Sequence, residues 1–442
     1  MRSLLLAGLV ALASASIAAA GNEKITYTKD IAPVLNANCV SCHRAGEIGP
    51  FAMTDYESIR PWAKSIRRVV TEKTMPPWHA DSSKVKYAND RSLSPEHIEL
   101  ISKWVLQGAA KGEEKDLPPA PVFDETWAMG PPDKIFTAET EYTVPPETDY
   151  IEYQSVHFKC DIPEDLYVTG WEIRPTERKV VHHANLVRAP LKLKTVGIGG
   201  AVGAGGDYIG SYLPGARPMS YPEGTALRIP KGSQISIQVH YVGIDKPLTD
   251  RMMFGVKLAQ GRVDKIIRTV GTDDYEIEIA PGGNFTMDTS VNLLYDLTLL
   301  SSGAHMHLRG RAYNATALLP DGTEKLITDV PVYDFNWQSN YQLAEPINVP
   351  KGTKYKIHAW WDNSANNPNN PAPDQKVVYG EWTENEMLTT WSHAVLTDEK
   401  LGLKVKDGVV IGKFDDAQAT EHPAILQSLP NTFNMKAKAS GD

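Results

Sequence analysis

The sequence of 442 residues is short of cysteine, of net basic charge and of long apolar runs. Three cysteines are too few for a disulfide framework, since Cys39 and Cys42 share one short motif and Cys160 is left over. We expect Cys160 to be a buried small hydrophobe. A net charge of −9 and the lack of any basic run argue against a nucleic-acid or anionic-membrane partner.

The first 20 residues have the composition of a secretory signal. Arg2 supplies the positive start, an apolar or small-residue run follows from Leu4 to Ile17, and small residues up to Ala20 form a cleavage site. The run is shorter than the roughly 20 residues that a membrane anchor needs. We therefore expect cleavage near Ala20, a periplasmic or secreted protein, and no transmembrane segment in the mature chain.

Residues 24–113 have the apolar spacing of a small all-α domain. Ser94 and Pro95 predict the N-cap and first turn of its last helix, and Gly108 and Gly112 predict the end. Apolar residues recur at helical spacing, as in Ile59-Trp62-Ile66-Val69-Val70 and Ile98-Ile101-Trp104-Val105.

The composition changes after this segment, first to a proline-rich acidic stretch and then to short apolar or alternating runs. Turn signals such as Pro230-Lys231-Gly232 separate these runs, which predicts many short strands and a β-sandwich architecture. We therefore predict a linker at 114–133, two all-β sandwich domains at 134–270 and 271–400, and a tail at 401–442.

The segment Cys39-Val40-Ser41-Cys42-His43 matches the attachment pattern of c-type haem. Both thiols can add to the vinyl groups of one porphyrin while His43 lies under the iron, and a methionine as second axial ligand raises the potential. Met75, followed by two prolines, is our candidate, and spacing does not exclude Met53. Zinc would need a second ligand pair nearby and a redox dithiol needs no histidine, so one covalent haem c is expected.

Five further histidines form clusters along the predicted sandwiches. His305 and His307 are two residues apart, so on a strand they face the same side and can bind one ion. His182 and His183 are adjacent and face opposite sides of a flat strand, so a site shared with His240 requires a strand end, a strong twist or a bulge. Neutral imidazoles suit copper, zinc, nickel or iron, so the spacing does not name the metal.

The order of these clusters resembles the copper type II, ascorbate-dependent monooxygenases, the family of the peptidylglycine α-hydroxylating and dopamine β-monooxygenases. The matching pieces are Val181-His182-His183, Gln238-Val239-His240-Tyr241, Ala304-His305-Met306-His307 and Asn385-Glu386-Met387. This resemblance covers about residues 135–400. The preceding segment resembles the c-type cytochrome domain of bacterial relatives, and supports Met75 over Met53, through Pro50-Phe51, Met75-Pro76-Pro77-Trp78 and Leu93-Ser94-Pro95.

The resemblance implies two unequal copper sites held by two jelly-roll-like sandwiches. One site stores and passes on an electron, and its implied ligands are His182, His183 and His240. The other binds dioxygen and attacks a C–H bond, and its implied ligands are His305, His307 and Met387. Thioether sulfur favours Cu(I), and three protein ligands leave an open position for dioxygen or substrate.

The expected activity is therefore hydroxylation of a small organic substrate by dioxygen. Electrons would come from an external donor, ascorbate or another periplasmic redox protein, and pass through the haem. The alternative is a non-catalytic periplasmic electron carrier or copper-binding protein that kept the ligands. A structural zinc sandwich is a third interpretation, which the methionine ligand Met387 disfavours.

Two positions depart from the peptide-amidating branch of that family. Gly303 stands where that branch has an arginine for the peptide carboxylate, and Trp391 stands where it has a tyrosine. Without that cation, peptide amidation is not expected. A pocket walled by Trp391 and by Trp337, Trp360 and Trp361 would suit an apolar or aromatic substrate, although the same side chains fit a core.

Overall fold

The computed structural model describes residues 24–123, 127–146, 151–189, 207–274, 276–380 and 382–417. The expected signal at residues 1–20 lies outside these residues, as does the predicted tail beyond residue 417. The described chain is mostly β-sheet, in agreement with the predicted sandwich architecture. Its α-helices are α1 (Ala32–Asn38), α2 (Tyr56–Ile59), α3 (Ala63–Thr71) and α4 (Pro95–Leu106).

The strands follow the helices along the chain. The first group is β1 (Lys134–Thr137), β2 (Tyr142–Val144), β3 (Gln154–His157), β4 (Leu166–Arg174), β5 (Val181–Ala189), β6 (Asp207–Tyr212), β7 (Met219–Ser220), β8 (Thr225–Ile229), β9 (Gln234–Tyr241), β10 (Leu248–Asp250), β11 (Met253–Leu258) and β12 (Gly261–Val263). The second group is β13 (Lys265–Asp274), β14 (Glu278–Ile279), β15 (Asn284–Asn292), β16 (Leu297–His305), β17 (Gly310–Leu318), β18 (Glu324–Val330), β19 (Tyr341–Val349), β20 (Lys354–Asp362), β21 (Val377–Val378), β22 (Leu388–Leu396), β23 (Leu403–Lys406) and β24 (Val409–Lys413).

The helices pack around an apolar core of their own, and α4 begins where the sequence predicts. The Ser94 hydroxyl accepts the His97 N–H at 3.3 Å, and Pro95 occupies the first turn. The core residues include Ile31, Leu35, Ile59, Ile66, Ile101 and Trp104. Among the described residues, no helix combines the length and the apolar character needed to cross a membrane.

The segment between α3 and α4 leaves the helical core and packs on the β-sheets. We call residues 78–92 the strap. Trp78 and Tyr87 belong to the core of the second sandwich, and Trp78 meets Tyr341 edge-on with ring centroids 5.1 Å apart. Tyr87 also forms an antiparallel bridge with Leu343. The aromatic side chains of the strap therefore tie the helical segment to the β region by burial of apolar surface.

One sheet runs through the whole β region, in the order β1-β11-β4-β8-β13-β22-β16-β19. Strand β13 pairs in parallel with β8 through residues 265–267, and antiparallel with β22 through residues 268–274. The predicted boundary between residues 270 and 271 therefore falls inside a strand that bonds to both halves.

Two four-stranded sheets cover the two halves of this long sheet and make the sandwiches. The sheet β3-β9-β5-β6 shares an apolar core with the first half, including Val168, Trp171, Leu186 and Ile237. The sheet β15-β20-β17-β18 shares a core with the second half, including Leu299, Ala315, Ile357 and Leu388. Each pair of sheets buries its facing side chains, as sheet-on-sheet packing requires.

Candidate metal centres

A β-bulge brings the histidine doublet to one face of β5. Val181 is registered with Tyr241 of β9, and His183 is registered with His240, so His182 is an extra residue in the ladder. A bulge of this kind turns two successive side chains away from strict alternation. Adjacent histidines can share a site at a strand end, at a strong twist or at a bulge, and the structure has a bulge here.

The three imidazoles of this first centre converge. The Nδ1 atoms of His182 and His183 are 3.1 Å apart, and one ring nitrogen of each histidine, including His240, lies within 4.8 Å of the others. The Nδ1 atom of His240 is buried and makes no hydrogen bond to the described residues. A buried acceptor without a partner is costly unless something binds it. These three nitrogens fit a single metal ion.

Burial keeps these imidazoles neutral near pH 7, which metal binding requires. Burial, followed by the neighbouring imidazoles of His182 and His240, holds the pKa of His183 well below 6.5. Burial and then His182 lower the pKa of His240 to about 4. The Tyr153 hydroxyl lies 3.2 Å from His183 Nε2, so it can accept the proton of that nitrogen and leave Nδ1 unprotonated.

The second centre is built where β16 ends. His305 is the last residue of the strand, and its ring centroid is 4.9 Å from that of His307. The Nδ1 atom of His305 meets the Oε1 atom of Gln338, and that of His307 is 3.2 Å from the Asn385 carbonyl oxygen. Both partners are acceptors, so each Nδ1 is placed to carry the proton and to leave Nε2 as the metal-binding atom. The Trp382 carbonyl is a second backbone partner of the His307 imidazole.

Met387 lies next to the residues that hold His307. Its side chain is buried, and the strand register pairs His305 with Thr389, two residues further along the chain. Met387 therefore precedes β22 at the end of the sheet where β16 finishes with His305. Its role as a ligand beside His305 and His307 stays a prediction.

The carboxylate of Glu386 organises this end of the sheet. It accepts the backbone N–H of His307 at 3.0 Å and of Arg309 at 2.6 Å, and the Trp361 indole N–H at 3.0 Å. Glu386 is fully buried, and burial raises its pKa to about 7. The sequence shows Glu386 only as the residue before Met387, so its role was missed.

The phenyl ring of Phe335 lies between the two centres. Its centroid is 5.6 Å from the ring of His183 and 6.1 Å from that of His240. It is also 6.0 Å from the ring of His307 and 6.4 Å from that of His305. The two sets of imidazoles therefore share one apolar neighbour in the loop between β18 and β19.

Gln338, in the same loop, lies between the two centres as well. Its side chain is buried, with Oε1 against His305 and Nε2 3.5 Å from His183 Nε2. Its Nε2 also donates to the Phe335 carbonyl at 2.9 Å, which fixes the orientation of the amide. No local spacing distinguishes Phe335 or Gln338 from other loop residues, so the sequence did not single them out.

The Cys-x-x-Cys-His segment closes a turn after α1. The Nδ1 atom of His43 is 3.1 Å from the Phe51 carbonyl oxygen, which leaves Nε2 free for an iron ion. Both motif thiols are half-buried and free, and burial raises the pKa of Cys39 to about 12. Reactive dithiols have a lowered pKa instead. The raised pKa therefore disfavours a reactive dithiol, and one covalent haem stays a prediction.

The two candidate methionines stand in different surroundings. Met53 is buried in the helical core, and its N–H donates to the His43 carbonyl at 2.8 Å. Met75 is half-buried in the loop after α3. A second iron ligand would not need to contact the His43 imidazole, so proximity to that imidazole does not choose between the two methionines. Met75 remains the prediction.

The other singled-out side chains are structural in this fold. Trp361 and Trp391 are 1% exposed, so they are core residues rather than walls of an open pocket. The His157 imidazole bonds to the Ser236 hydroxyl at 2.8 Å. Cys160 is partly buried against the first sandwich core, in the kind of site expected for a small hydrophobe.

No protein-family model matches the chain, and no curated protein matches it. Among solved structures, a chain in the structure of the infectious bursal disease virus Gt strain is 14% identical. The match covers 64% of this chain and 74% of that chain, with a TM-score of 0.18. PBCV-1 VP54, fitted into a reconstruction of the virophage Sputnik, is 8% identical over 59% of this chain and 92% of that chain, with a TM-score of 0.22. Bacillus subtilis oxalate decarboxylase is 10% identical over 65% of this chain and 81% of that chain, with a TM-score of 0.12. Scores this low carry no argument about fold or function.

Proposed function

We propose that this chain is a periplasmic copper-dependent monooxygenase that hydroxylates a small organic substrate with dioxygen. One observation carries the proposal: two sets of buried imidazoles lie side by side and present different nitrogens. His182, His183 and His240 converge, two of them through Nδ1 atoms 3.1 Å apart, whereas His305 and His307 have Nδ1 occupied by acceptors. This arrangement supports two unequal metal sites.

The first centre suits an ion that exchanges electrons without binding substrate. Its three nitrogen donors come from strands β5 and β9, whose pairing holds the imidazoles in place. Tyr153 and Phe335 pack on these imidazoles, with Phe335 shielding the side that faces the second centre. The donors are neutral and buried, which favours Cu(I) and Cu(II) alike over hard cations.

The second centre suits the reacting ion. His305 and His307 supply two imidazole nitrogens, and Met387 would supply a thioether, so a position remains for dioxygen. Copper, when bound, supplies the one-electron chemistry and the activation of dioxygen that hydroxylation requires. Gln338, Asn385 and the Glu386 carboxylate orient the imidazoles, so the chain's own contribution is to pre-arrange the donors.

We further propose that the helical segment is a c-type cytochrome domain that delivers electrons from an external donor, ascorbate or another redox protein. Cys39 and Cys42 would hold one haem covalently, with His43 and Met75 as axial ligands. A bound haem c supplies single electrons. Hydroxylation needs two electrons beyond dioxygen, and two copper sites together hold two.

Metal content and oxygen uptake test the proposal. Full-length protein expressed in a periplasm is expected to contain one haem and two coppers per chain. The variant His240→Ala should keep the second copper only, and the matched control His358→Gln should keep both, since His358 pairs with Asp288 on β15. Reduced protein should consume dioxygen, faster with a substrate found by screening small organic compounds.

Other results would replace this proposal. Zinc in place of copper would make the β region a structural metal protein. Two coppers and a haem that never consume dioxygen with any compound would favour the non-catalytic electron carrier.

A further inference from the structure

The loop that follows His43 is joined by a buried ion pair to the segment that enters β5. Arg178 Nη1 lies 2.5 Å from Glu47 Oε1, and Arg44 Nη2 lies 2.8 Å from the same oxygen. The three side chains are only 21%, 8% and 12% exposed, respectively. Arg178 begins the short 3₁₀ turn Arg178–Val180, which runs directly into β5 and its histidine doublet.

The low exposure of these side chains matters for the strength of the ion pair between Glu47 and Arg178. A carboxylate and a guanidinium lose hydration when they are buried, so each is held to the opposite charges that compensate it. Glu47 accepts from guanidinium groups on both sides of the contact, Arg44 within its own loop and Arg178 from the β region. Arg178 is therefore the partner that fixes the haem loop relative to β5, whereas Arg44 stabilises the loop itself.

The thiol of Cys42 meets the β region at the same place. A Cβ atom added to Gly215 would lie 2.4 Å from the Cys42 sulfur, so only a glycine allows this close approach. Arg91 of the strap reaches the same corner, where its Nη1 donates to the Pro214 carbonyl at 3.4 Å. One of the two proposed haem attachment points thus abuts the loop after β6.

Tyr212 ends β6 and is registered with Ala184 of β5, the residue after the doublet. Its side chain packs against the core of the first sandwich. Burial raises the pKa of Tyr212, and the charges of Glu47, Arg178 and Cys42 act on it as well. The end of β6 therefore connects the loop at Gly215 to the strand of the first centre.

We infer that Arg178, through Glu47, is a positioning residue that holds the haem loop against β5, and that electrons pass from the haem to the three-histidine centre across this contact. The inference rests on the proposed function. A haem held by Cys39, Cys42 and His43 would give up one electron, and a Cu(II) ion held by His182, His183 and His240 would accept it and become Cu(I). No bond forms or breaks and no proton moves.

Stopped-flow kinetics of the full-length, haem- and copper-loaded protein test this inference. The haem is reduced rapidly in the absence of dioxygen, and its oxidation by Cu(II) is followed optically. Arg178→Met should slow that transfer about tenfold or more, because Glu47 keeps Arg44 but loses its link to the segment before β5, so the loop can shift. Arg178→Lys should recover part of the rate. Lys84→Met is the matched control, since Lys84 joins the strap to Asp329 on β18 and is not at the haem loop.

A second measurement separates positioning from a general structural effect. In Arg178→Met, backbone hydrogen exchange should accelerate in the loop at residues 44–51, while the haem spectrum and the copper EPR signal stay those of the wild type. A transfer rate within twofold of wild type in Arg178→Met would overturn the inference. A wild-type haem that stays reduced beside Cu(II) would instead refute the proposed electron delivery, and this inference with it.

Discussion

The indole of Trp391 occupies the space that a side chain at position 303 would need. Gly303 and Trp391 are registered partners on β16 and β22, and a Cβ atom on Gly303 would lie 2.5 Å from the indole ring. The conformations of these two positions are therefore coupled. A large ring at one position excludes any side chain at the other, two residues before His305.

The first prediction concerns this pair. Gly303→Ala should lower the free energy of unfolding by about 1–3 kcal/mol, because the added methyl group overpacks the indole. Trp391→Phe frees space, so adding Gly303→Ala to the Trp391→Phe variant should lower the free energy of unfolding much less. Urea unfolding of the four proteins measures the coupling. Additive effects would show that the two side chains do not compete for the space.

The second prediction concerns the carboxylate behind the second centre. Every partner of the Glu386 carboxylate donates a hydrogen bond to it. In Glu386→Gln the side-chain NH2 group, itself a donor, would therefore face another donor. Copper affinity at the second centre should fall about 10- to 100-fold, as for other residues that orient metal ligands. Competitive copper titration measures it. The first centre of Glu386→Gln should bind copper as it does in the wild type. Glu384 is exposed, so the control variant Glu384→Gln should bind copper normally at both centres.

The third prediction concerns pH. Burial lowers the pKa of His305 and of His393 to about 4, against 6.5 for an ordinary histidine. Between these values the unfolded chain binds more protons than the folded chain, so the metal-free protein should lose stability as pH falls from about 6.5 to 4.

Urea unfolding across this range tests the pH dependence. The variant His393→Gln removes one buried imidazole that is not among the proposed metal ligands, so its stability should fall less steeply with acid. An identical slope in that variant would contradict the assigned direction for His393.

The fourth prediction concerns the strand shared by the two sandwiches. Arg268 on β13 and Glu399 form an ion pair at 2.6 Å with both side chains fully buried. Glu399→Gln leaves the guanidinium without its counter-charge, so it should cost about 3–5 kcal/mol in unfolding free energy. The exposed pair between Lys356 and Glu324 is the control, and Glu324→Gln should have little effect. Equal effects of the two changes would contradict a structural role for the buried pair.

Local patterns along the chain already indicate much of this fold. The cap at Ser94 and the alternation of short strands with turns depend on residues a few positions apart, and the structure agrees with both. Short-range spacing is sufficient for these features because strand and helix periods impose the direction of each side chain within an element. The prediction that His305 and His307 face the same side assumed one strand for both, whereas β16 ends at His305, so the turn after the strand brings their rings together.

Contacts between distant residues could not be read in this way. Gln338 is 155 positions from His183, and the approach of their side chains depends on how two sandwiches share one sheet. The bulge at His182 arises only from pairing with β9, and Trp78 of the strap packs in the second core rather than in the helical one. Such features depend on the packing of the whole chain, so short-range periodicity carries no record of them.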